Sequence, residues 1–263
     1  MQTTAHPSIA LRQPSPLEKS RPLFTVPSIS SPLIPNIAVI IPAYNEAPAI
    51  AKVLNEIPRP LVSHVIVVDN ASTDETASVA TKAGASVAYE AEAGYGAACL
   101  NGIAMSKSLD VDLLVFLDGD HSDYPEEIPQ LIAPILEGKC DMVIGSRAIG
   151  IVEKGALTPQ QRYGNRLACF LMKRLLGAHY TDLGPFRAIT MTALDQLNMS
   201  DRNYGWTVEM QIKAAKKGIR VMEVPVRYRK RIGKSKVSGT VKGVVMAGYK
   251  IIFTILRHAL GKR

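Results

Sequence analysis

The stretch DLLVFLDGD, residues 112–120, decides how this 263-residue chain folds. Its continuous apolar run is typical of a strand that is buried on both faces of a parallel sheet. Two carboxylates, those of Asp118 and Asp120, follow directly where the strand ends. Ligands of such sheets bind beyond the carboxyl ends of the strands. The stretch therefore predicts a central strand that delivers an acidic pair to a ligand-binding edge.

Strand-like and helix-like runs alternate on both sides of this stretch. Further strands are predicted at 37–42 (IAVIIP), 64–69 (HVIVVD), 86–90 and 141–145 (DMVIG), with helices at 47–56, after Ser72 or Thr73, from Gly96 and over 125–136. This alternation predicts an α/β fold with a mostly parallel, doubly wound sheet and helices on both faces. Asp69 also ends a strand, so we expect its carboxylate to share a crevice with that of Asp118.

The regular alternation ends after residue 150. The pattern there predicts a long helix over 158–176, an irregular or extended piece over 182–189, a helix over 206–217 closed by Gly218, a strand over 219–228 and a last helix over 240–258. We expect three regions in the chain: a disordered arm over 1–36, a catalytic domain over 37–239, and an amphipathic helix with a basic tail over 240–263.

The amino-acid composition indicates which kinds of partner the protein can bind and which cellular compartment suits it. Residues 1–36 contain seven prolines with many Ser and Thr, which indicates a disordered arm rather than a targeting peptide. Three cysteines without CxxC spacing favour a reducing compartment, with the thiols as small core residues. The net charge of +8 suits anionic partners such as nucleotides, phosphorylated substrates, nucleic acid or acidic lipid, or is simply a solvated basic surface.

The acidic pair has a metal-binding and a structural interpretation. Asp118 and Asp120 can share a divalent ion and leave coordination positions open for diphosphate oxygens. Alternatively, Asp118 caps the following turn and Asp120 is solvated. An EF-hand is excluded, because Asp123 stands where the loop needs Gly and Pro129 where it needs a bidentate Glu.

Two glycine patterns limit the nucleotide chemistry. Gly94 and Gly96 give two of the three glycines of a dinucleotide-binding turn, and they follow the third strand instead of the first. We therefore expect them to open a helix whose N-terminus faces the crevice. The sequence contains no GxxxxGK[ST] motif, which argues against a P-loop hydrolase.

Cations cluster in three places. Arg162, Arg166 and Lys173 form a narrow stripe on the 158–176 helix. The stripe suits an anionic, lipid-like ligand, or these long side chains simply extend over a core helix to reach water. Arg147 follows the fifth strand at the functional rim. Residues 227–236 hold six cations and fit a diphosphate clamp, a nucleic-acid patch or a solvated loop. Few aromatic residues interleave them, so base stacking is poorly supported.

The last helix has an apolar run that is short for a membrane span and is interrupted by Lys250. Lys242, Lys250 and Arg257 share one face. This pattern favours an interfacial helix lying on a membrane over one that simply packs against its own domain.

Six motifs occur in an order that resembles the family 2 glycosyltransferases, specifically the dolichol- or polyprenyl-phosphate mannosyl- and glucosyltransferase-like branch. They are IPAYNEA (41–47), VVDNASTDET (67–76), FLDGDHSDYPEE (116–127), GSR (145–147), DLGPFRA (182–188) and RIGKSK (231–236). The resemblance covers about residues 37–240. It implies a GT-A fold, a nucleotide-diphosphate sugar donor, Mg²⁺ or Mn²⁺, and inversion at the anomeric carbon.

The resemblance also implies roles for individual residues. The nucleotide-sugar pocket would be formed by Pro42, Ala43, Tyr44, Asn45, Glu46, Asp69, Asp118, Arg231 and Lys236. Asp118 and Asp120 would hold the metal, and Arg147, Arg162 and Asn165 would grip an acceptor phosphate. Asp182 and Glu209 are the candidate catalytic carboxylates. Ser122 stands where some relatives carry a metal-contacting Gln, so the third protein ligand of the metal is open.

The expected reaction is transfer of a hexose from a GDP-mannose or UDP-glucose type donor to a polyprenyl or dolichyl phosphate. A soluble or glycolipid hydroxyl is the rival acceptor, with Asp182 or Glu209 as general base. An inactive nucleotide-sugar-binding or membrane-adaptor protein is the non-enzymatic alternative. No transmembrane pair follows the catalytic domain as it does in several relatives, so we expect a cytoplasmic protein in peripheral contact with an anionic membrane. No nucleic-acid partner is expected.

Overall fold

The structure, a computed structural model, describes residues 35–233, 235 and 241–260, with only the backbone at 241 and 242. These residues belong to one compact unit that begins at Pro35. Residues 1–34, and with them most of the expected N-terminal arm, lie outside the described part.

A seven-stranded sheet forms the centre of the unit. Its strands are β1 (Ile37–Ala43), β2 (His64–Asp69), β3 (Ser86–Tyr89), β4 (Leu113–Phe116), β5 (Met142–Val152), β6 (Arg187–Thr190) and β7 (Val221–Tyr228), in the spatial order β3-β2-β1-β4-β6-β5-β7. Neighbouring strands pair in parallel except for β6, which is antiparallel to both β4 and β5.

Helices cover both faces of this sheet. They are α1 (Ala47–Glu56), α2 (Thr76–Lys82), α3 (Tyr95–Ser106), α4 (Ile128–Leu136), α5 (Pro159–Leu176), α6 (Met191–Leu197), α7 (Trp206–Lys217) and α8 (Val241–Leu260), with short 3-10 turns at Lys107–Leu109 and Pro125–Glu127. Alternate residues of β1 enter different cores: Ile37 and Val39 lie in one hydrophobic cluster and Ala38 and Ile40 in the other. The prediction of a mostly parallel sheet with helices on both faces is confirmed.

The predicted elements differ from the structure mainly between residues 141 and 197. The piece predicted as irregular or extended over 182–189 leads into β6, a regular strand that spans Arg187–Thr190. β5 continues to Val152 instead of ending at Gly145, because its second half pairs with β7 beyond a register shift. α6 was not predicted; it begins at Met191 directly after β6, with Thr190 as its N-cap.

A third hydrophobic cluster joins α5, α7 and α8. Met172, Ile212 and Ile255, one from each helix, are fully buried in it. α8 thus packs against its own domain along one side, while Val245 and Tyr249 remain exposed on another. α8 extends beyond the predicted end, and Gly243–Leu260 has the length and composition of a membrane span, with a mean hydropathy of 1.3. Core helices of soluble proteins share this length and composition, so neither property by itself indicates a span.

The start of α3 is held in close contact with the segment before α7. A Cβ atom at Gly96 would lie 2.1 Å from the carbonyl oxygen of Asp201, and one at Gly94 would lie 2.2 Å from that of Arg202. The Ala97 N–H donates to the Arg202 carbonyl at 2.8 Å. Glycine is required here because two backbones approach each other, and the contact fixes the helix N-terminus against residues 201–203.

The close contact at Gly96 predicts a stability difference between two helical glycines. Gly96→Ala should lower the free energy of unfolding by about 2 kcal/mol, because the new methyl group meets backbone that cannot rotate away. Gly164→Ala, in α5, meets nothing within 4 Å and should raise it by about 0.5 kcal/mol through helix propensity. Urea unfolding of both variants measures this; equal effects of the two substitutions would contradict the close packing.

Candidate active site

A cleft of about 1100 Å³ opens at the carboxyl edge of the parallel strands. Its walls come from the segments that follow β1 and β4, the start of α3, the second half of β5, the segment 181–185, and the facing sides of α5 and α8. Parallel strands that end at one edge explain why residues distant in sequence meet here. The cleft therefore runs from the sheet edge to the two outer helices.

The acidic pair lies on the floor of this cleft. Asp118 and Asp120 both line it, and Asp120 is 3% exposed. Burial, with the negative charge of Asp120 added, raises the pKa of Asp118 to about 7. Asp123 lies close behind; burial and the charges of Asp118 and Asp120 raise its pKa well above the usual range. Three carboxylates at one buried place create a strong demand for cations.

The acidic pair fits a divalent metal ion. Carboxylate oxygens are the ligands that Mg²⁺ and Mn²⁺ prefer. A cation already lies at this place: the Arg231 guanidinium forms an ion pair with Asp120 and stands 3.8 Å from Glu46. Within the described residues, no group of three His, Cys, Asp or Glu side chains could hold a metal by itself. A metal ion at Asp118 and Asp120 would therefore complete its coordination with other oxygen atoms, such as those of water or of a bound diphosphate.

The end of β1 and the segment that follows it reach the cleft in part. Pro42, Ala43, Tyr44 and Glu46 line it, and the Tyr44 ring is 45% exposed. Glu46 is buried, and its N–H donates to the Thr76 hydroxyl at 2.8 Å. A half-exposed aromatic ring beside a buried carboxylate offers a stacking surface and a hydrogen-bond acceptor, which suits a nucleoside.

Asn45 and Asp69 lie behind that wall and do not line the cleft. Asn45 has a φ of 54° and accepts the Thr73 N–H at 2.8 Å. Asp69 accepts the Ser72 N–H at 3.1 Å. Asn45 thus holds the loop after β2 against the segment after β1, and Asp69 fixes the start of that same loop to the end of β2. Sequence reasoning had placed both side chains in the pocket itself.

Arg147 and Asp182 form a buried, two-pronged ion pair. Arg147 Nε and Nη2 each lie 2.8 Å from a different Asp182 oxygen, and the Arg147 backbone N–H donates to the same carboxylate at 2.7 Å. Asp182 is 1% exposed. Burial opposes its ionisation, but Arg147 outweighs that effect and holds the pKa of Asp182 below its usual range. Asp182 lines the cleft as a fixed anion and is a poor proton acceptor.

Two predicted acceptor-binding residues lie on α5. Arg162 is exposed and lines the cleft. Asn165 also lines it, but its amide is occupied: it donates to the Thr181 carbonyl and accepts the Leu183 N–H, each at 2.9 Å. Asn165 therefore fixes α5 to the segment that carries Asp182.

The structure does not bring Glu209 into the cleft. This carboxylate, 3% exposed, accepts hydrogen bonds from the Ser200 hydroxyl at 2.7 Å and the Asp201 N–H at 2.8 Å, and pairs with Lys213 at 2.8 Å. Burial opposes its ionisation, but Lys213 and these donors lower the pKa of Glu209. Its role in the structure is to fix the segment that leads to Asn203, which does line the cleft.

Sequence reasoning missed several side chains around the cleft. Tyr95, Tyr204 and Tyr228 line it. Arg187 on β6 is fully buried and donates to the carbonyls of Gly184 and Thr207. An arginine inside an apolar extended run is a signal that could have identified Arg187, whereas the tyrosines carry no comparable pattern. Lys236 lies outside the described residues.

A mostly parallel sheet with one antiparallel strand and an acidic pair at its edge is the arrangement of the GT-A fold, which the solved structure described below shares. Residues 38–197 match Glycosyl transferase family 2. The chain belongs to this family and is a glycosyltransferase.

Similar proteins are consistent with this assignment. An uncharacterised glycosyltransferase of Mycobacterium tuberculosis is 33% identical, over 80% of this chain and 94% of its own length. The undecaprenyl-phosphate mannosyltransferase of Micrococcus luteus is 33% identical, over 79% and 89%. A crystal structure of glucosyl-3-phosphoglycerate synthase from Mycobacterium tuberculosis, with Mn²⁺, UDP and phosphoglyceric acid, superposes with a TM-score of 0.70 at 23% identity, over 87% and 80%. At that identity the likeness shows the fold.

The buried Arg147–Asp182 pair predicts a pH-dependent loss of stability when Asp182 is replaced. Asp182→Asn should lower the free energy of unfolding by about 3 kcal/mol at pH 7, because Arg147 keeps its charge and loses its partner. The pKa of Asp182 is lower in the folded than in the unfolded state. Its contribution to the free energy of unfolding is therefore complete above the unfolded-state pKa of about 4, and it is lost as the pH falls through the folded-state pKa. The gap between wild type and variant should thus narrow below about pH 4 in denaturant titrations. A gap that widens in acid would contradict this assignment.

Proposed function

We propose that this glycosyltransferase transfers a hexose from a nucleotide-diphosphate sugar to a polyprenyl or dolichyl phosphate, with inversion and with Mg²⁺ or Mn²⁺. The observation that carries the proposal is the course of the cleft. Its inner end holds the acidic pair and Arg147, and its outer end lies between α5 and α8, where Ile251 contributes to an apolar wall. Such a cleft suits an acceptor with a charged head and a hydrocarbon tail.

The donor would bind at the sheet edge. Tyr44 and Glu46 would contact the nucleoside beside Pro42 and Ala43, with Asn45 and Asp69 supporting that wall from behind. Arg231 would meet the donor diphosphate, as would Lys236. A donor of the GDP-mannose or UDP-glucose type is supported by the size of the cleft and by the family.

Asp118 and Asp120 would hold the metal ion. When bound, such an ion neutralises the charge that develops on the departing nucleoside diphosphate. The solved structures of glucosyl-3-phosphoglycerate synthase contain Mn²⁺ or Mg²⁺ with UDP, which supports the same use here. Arg231 adds a second positive charge on the leaving-group side.

The acceptor phosphate would be gripped by Arg147 and Arg162, with Asn165 holding α5 in place. A phosphate acceptor is already ionised near neutral pH and needs positioning more than a base. This agrees with the state of Asp182 and Glu209, both of which are committed to cations and N–H donors. Relatives named for undecaprenyl phosphate and dolichyl phosphate support a lipid phosphate.

A soluble acceptor is the second candidate, because the similar fold of glucosyl-3-phosphoglycerate synthase was crystallised with phosphoglyceric acid. A hydroxyl acceptor requires a general base. Of the two predicted carboxylates, Asp182 lines the cleft and would take that role, after exchange of its bonds to Arg147.

Contact with an anionic membrane, on its cytoplasmic face, is supported by the outer side of α5 and α8. Tyr163 and Phe170 are exposed on α5, and on α8 the exposed rings of Tyr249 and Phe253 stack with centroids 5.9 Å apart. Arg166 and other exposed cations lie among them. Apolar rings with interspersed cations are typical of surfaces that lie in a lipid headgroup region.

Transfer can be measured with labelled UDP- and GDP-sugars and Mn²⁺, using undecaprenyl phosphate or 3-phosphoglycerate as acceptor. We expect label in the organic phase with the lipid, abolished by EDTA and lowered at least about 100-fold by Asp120→Asn, which removes a metal ligand. Glu153→Gln, an exposed carboxylate outside the cleft, is the matched control. Label on 3-phosphoglycerate alone would select the soluble acceptor, and no transfer or donor hydrolysis would support an inactive binding protein.

Membrane contact predicts weaker vesicle binding when the α8 rings are removed. Tyr249→Ser with Phe253→Ser should lower partitioning to vesicles of phosphatidylcholine and phosphatidylglycerol by about tenfold or more, because two apolar side chains no longer enter the lipid. Tyr89→Ser, which removes an exposed ring on the edge strand β3, should have no effect. Flotation assays measure both variants; equal losses, or no binding by wild type, would contradict membrane contact.

A further inference from the structure

The side chain of Arg231 occupies the place where a metal ion would meet the protein. Its guanidinium pairs with the Asp120 carboxylate and lies 3.8 Å from Glu46. The Arg231 side chain is 30% exposed, whereas that of Asp120 is 4% exposed. The protein thus supplies its own cation to this buried carboxylate.

The backbone on both sides of Arg231 is fixed to the loop that carries the acidic pair. The Arg229 N–H donates to the Ser122 carbonyl and the Ile232 N–H donates to the Asp120 carbonyl, both at 2.9 Å. The Arg229 guanidinium lies over the Tyr124 ring at 4.3 Å and pairs with Glu56. The Arg231 backbone therefore stays beside the acidic pair, and a change of partner is left to the side chain.

The Arg231 side chain has unused hydrogen-bonding capacity. Its Nε is buried and makes no hydrogen bond to the described residues. A guanidinium has five N–H donors in a planar fork that matches phosphate oxygens. A diphosphate beside Asp120 would satisfy this donor, whereas the Asp120 carboxylate alone does not.

A guanidinium and a divalent ion cannot share the Asp120 carboxylate without strong repulsion, since like charges a few ångströms apart interact strongly away from bulk water. We propose that Arg231 is an exchangeable counter-ion: it holds Asp120 in the free enzyme and moves to the donor diphosphate when metal and nucleotide bind together. This inference rests on the proposed function, because it takes the ligand to be a nucleoside diphosphate. Metal and nucleotide binding are then strongly coupled.

Manganese binding to the full-length protein tests the exchange without any activity measurement. Free Mn²⁺ is followed by electron paramagnetic resonance with Mn²⁺ alone, with UDP and with GDP, for wild type and Arg231→Gln. Lys230→Gln is the matched control: it removes the same charge one residue away, from a side chain that is exposed and pairs with Glu153 at 3.7 Å. Arg231→Lys keeps the charge, and thermal unfolding verifies that each variant is folded.

We expect Arg231→Gln to bind Mn²⁺ alone about fivefold or more tightly than wild type, because the competing cation is gone. In the same variant, the factor by which nucleotide increases the Mn²⁺ affinity should be about tenfold smaller than in wild type, because the diphosphate has lost its arginine. Lys230→Gln should stay close to wild type in both measurements. Arg231→Lys should bind Mn²⁺ alone about as wild type does, because it keeps the competing charge, but it should lose part of the coupling, because an ammonium lacks the planar fork. The exchange is overturned if Arg231→Gln binds Mn²⁺ alone no more tightly than Lys230→Gln does, or if its coupling is unchanged.

The two proposals fail in different ways. An altered Mn²⁺ affinity in Arg231→Gln without sugar transfer by wild type would leave the exchange standing and remove the proposed reaction. Sugar transfer to the lipid phosphate by wild type, with an unaltered Mn²⁺ affinity in Arg231→Gln, would support the proposed reaction and remove the exchange.

Discussion

The mutual repulsion of buried carboxylates is the constraint on which the rest of this site depends. Asp118, Asp120 and Asp123 lie together at the end of β4, where burial raises the pKa values of Asp118 and Asp123. Such a cluster is stabilised by bound protons or by cations nearby. Arg147 and Arg231 both lower the pKa of Asp118 and so offset part of that repulsion. The arginines are thus as much a part of the floor of the cleft as the aspartates.

These cations come from the second half of the chain. Arg147 lies on β5 and Arg231 follows β7, and the match to the family ends at residue 197. β7 reaches the site because it pairs with β5, with Tyr228 beneath the Arg147 guanidinium at 5.0 Å from the ring centroid. The acidic pair and its counter-ions therefore meet through sheet pairing and not through nearness in sequence.

Much of the fold could be predicted from the sequence, because buried parallel strands are continuous apolar runs. The ends of α1, β2 and α7 could also be predicted, because the residue pattern changes clearly there. The bounds and partners of β6 could not, since four residues inside a piece predicted as irregular or extended carry too little pattern to show which neighbours they pair with. For the site, strand ends located the acidic pair, but spacing cannot show hydrogen bonds made through a folded backbone. Hence only the structure shows that Asn45, Asp69 and Glu209 accept hydrogen bonds that fix neighbouring loops.

The position of β6 has a consequence for how the chain folds. This strand lies between β4 and β5, yet it is made after both, so neither has its final neighbour on that side until residues 187–190 are present. A nascent chain shorter than this carries one incomplete sheet with an open edge at β4, and a β5 that has no partner because β7 comes later still. Open apolar strands of this kind invite pairing with other chains. The edge of β4 therefore stays open from the time that strand is made until β6 is complete.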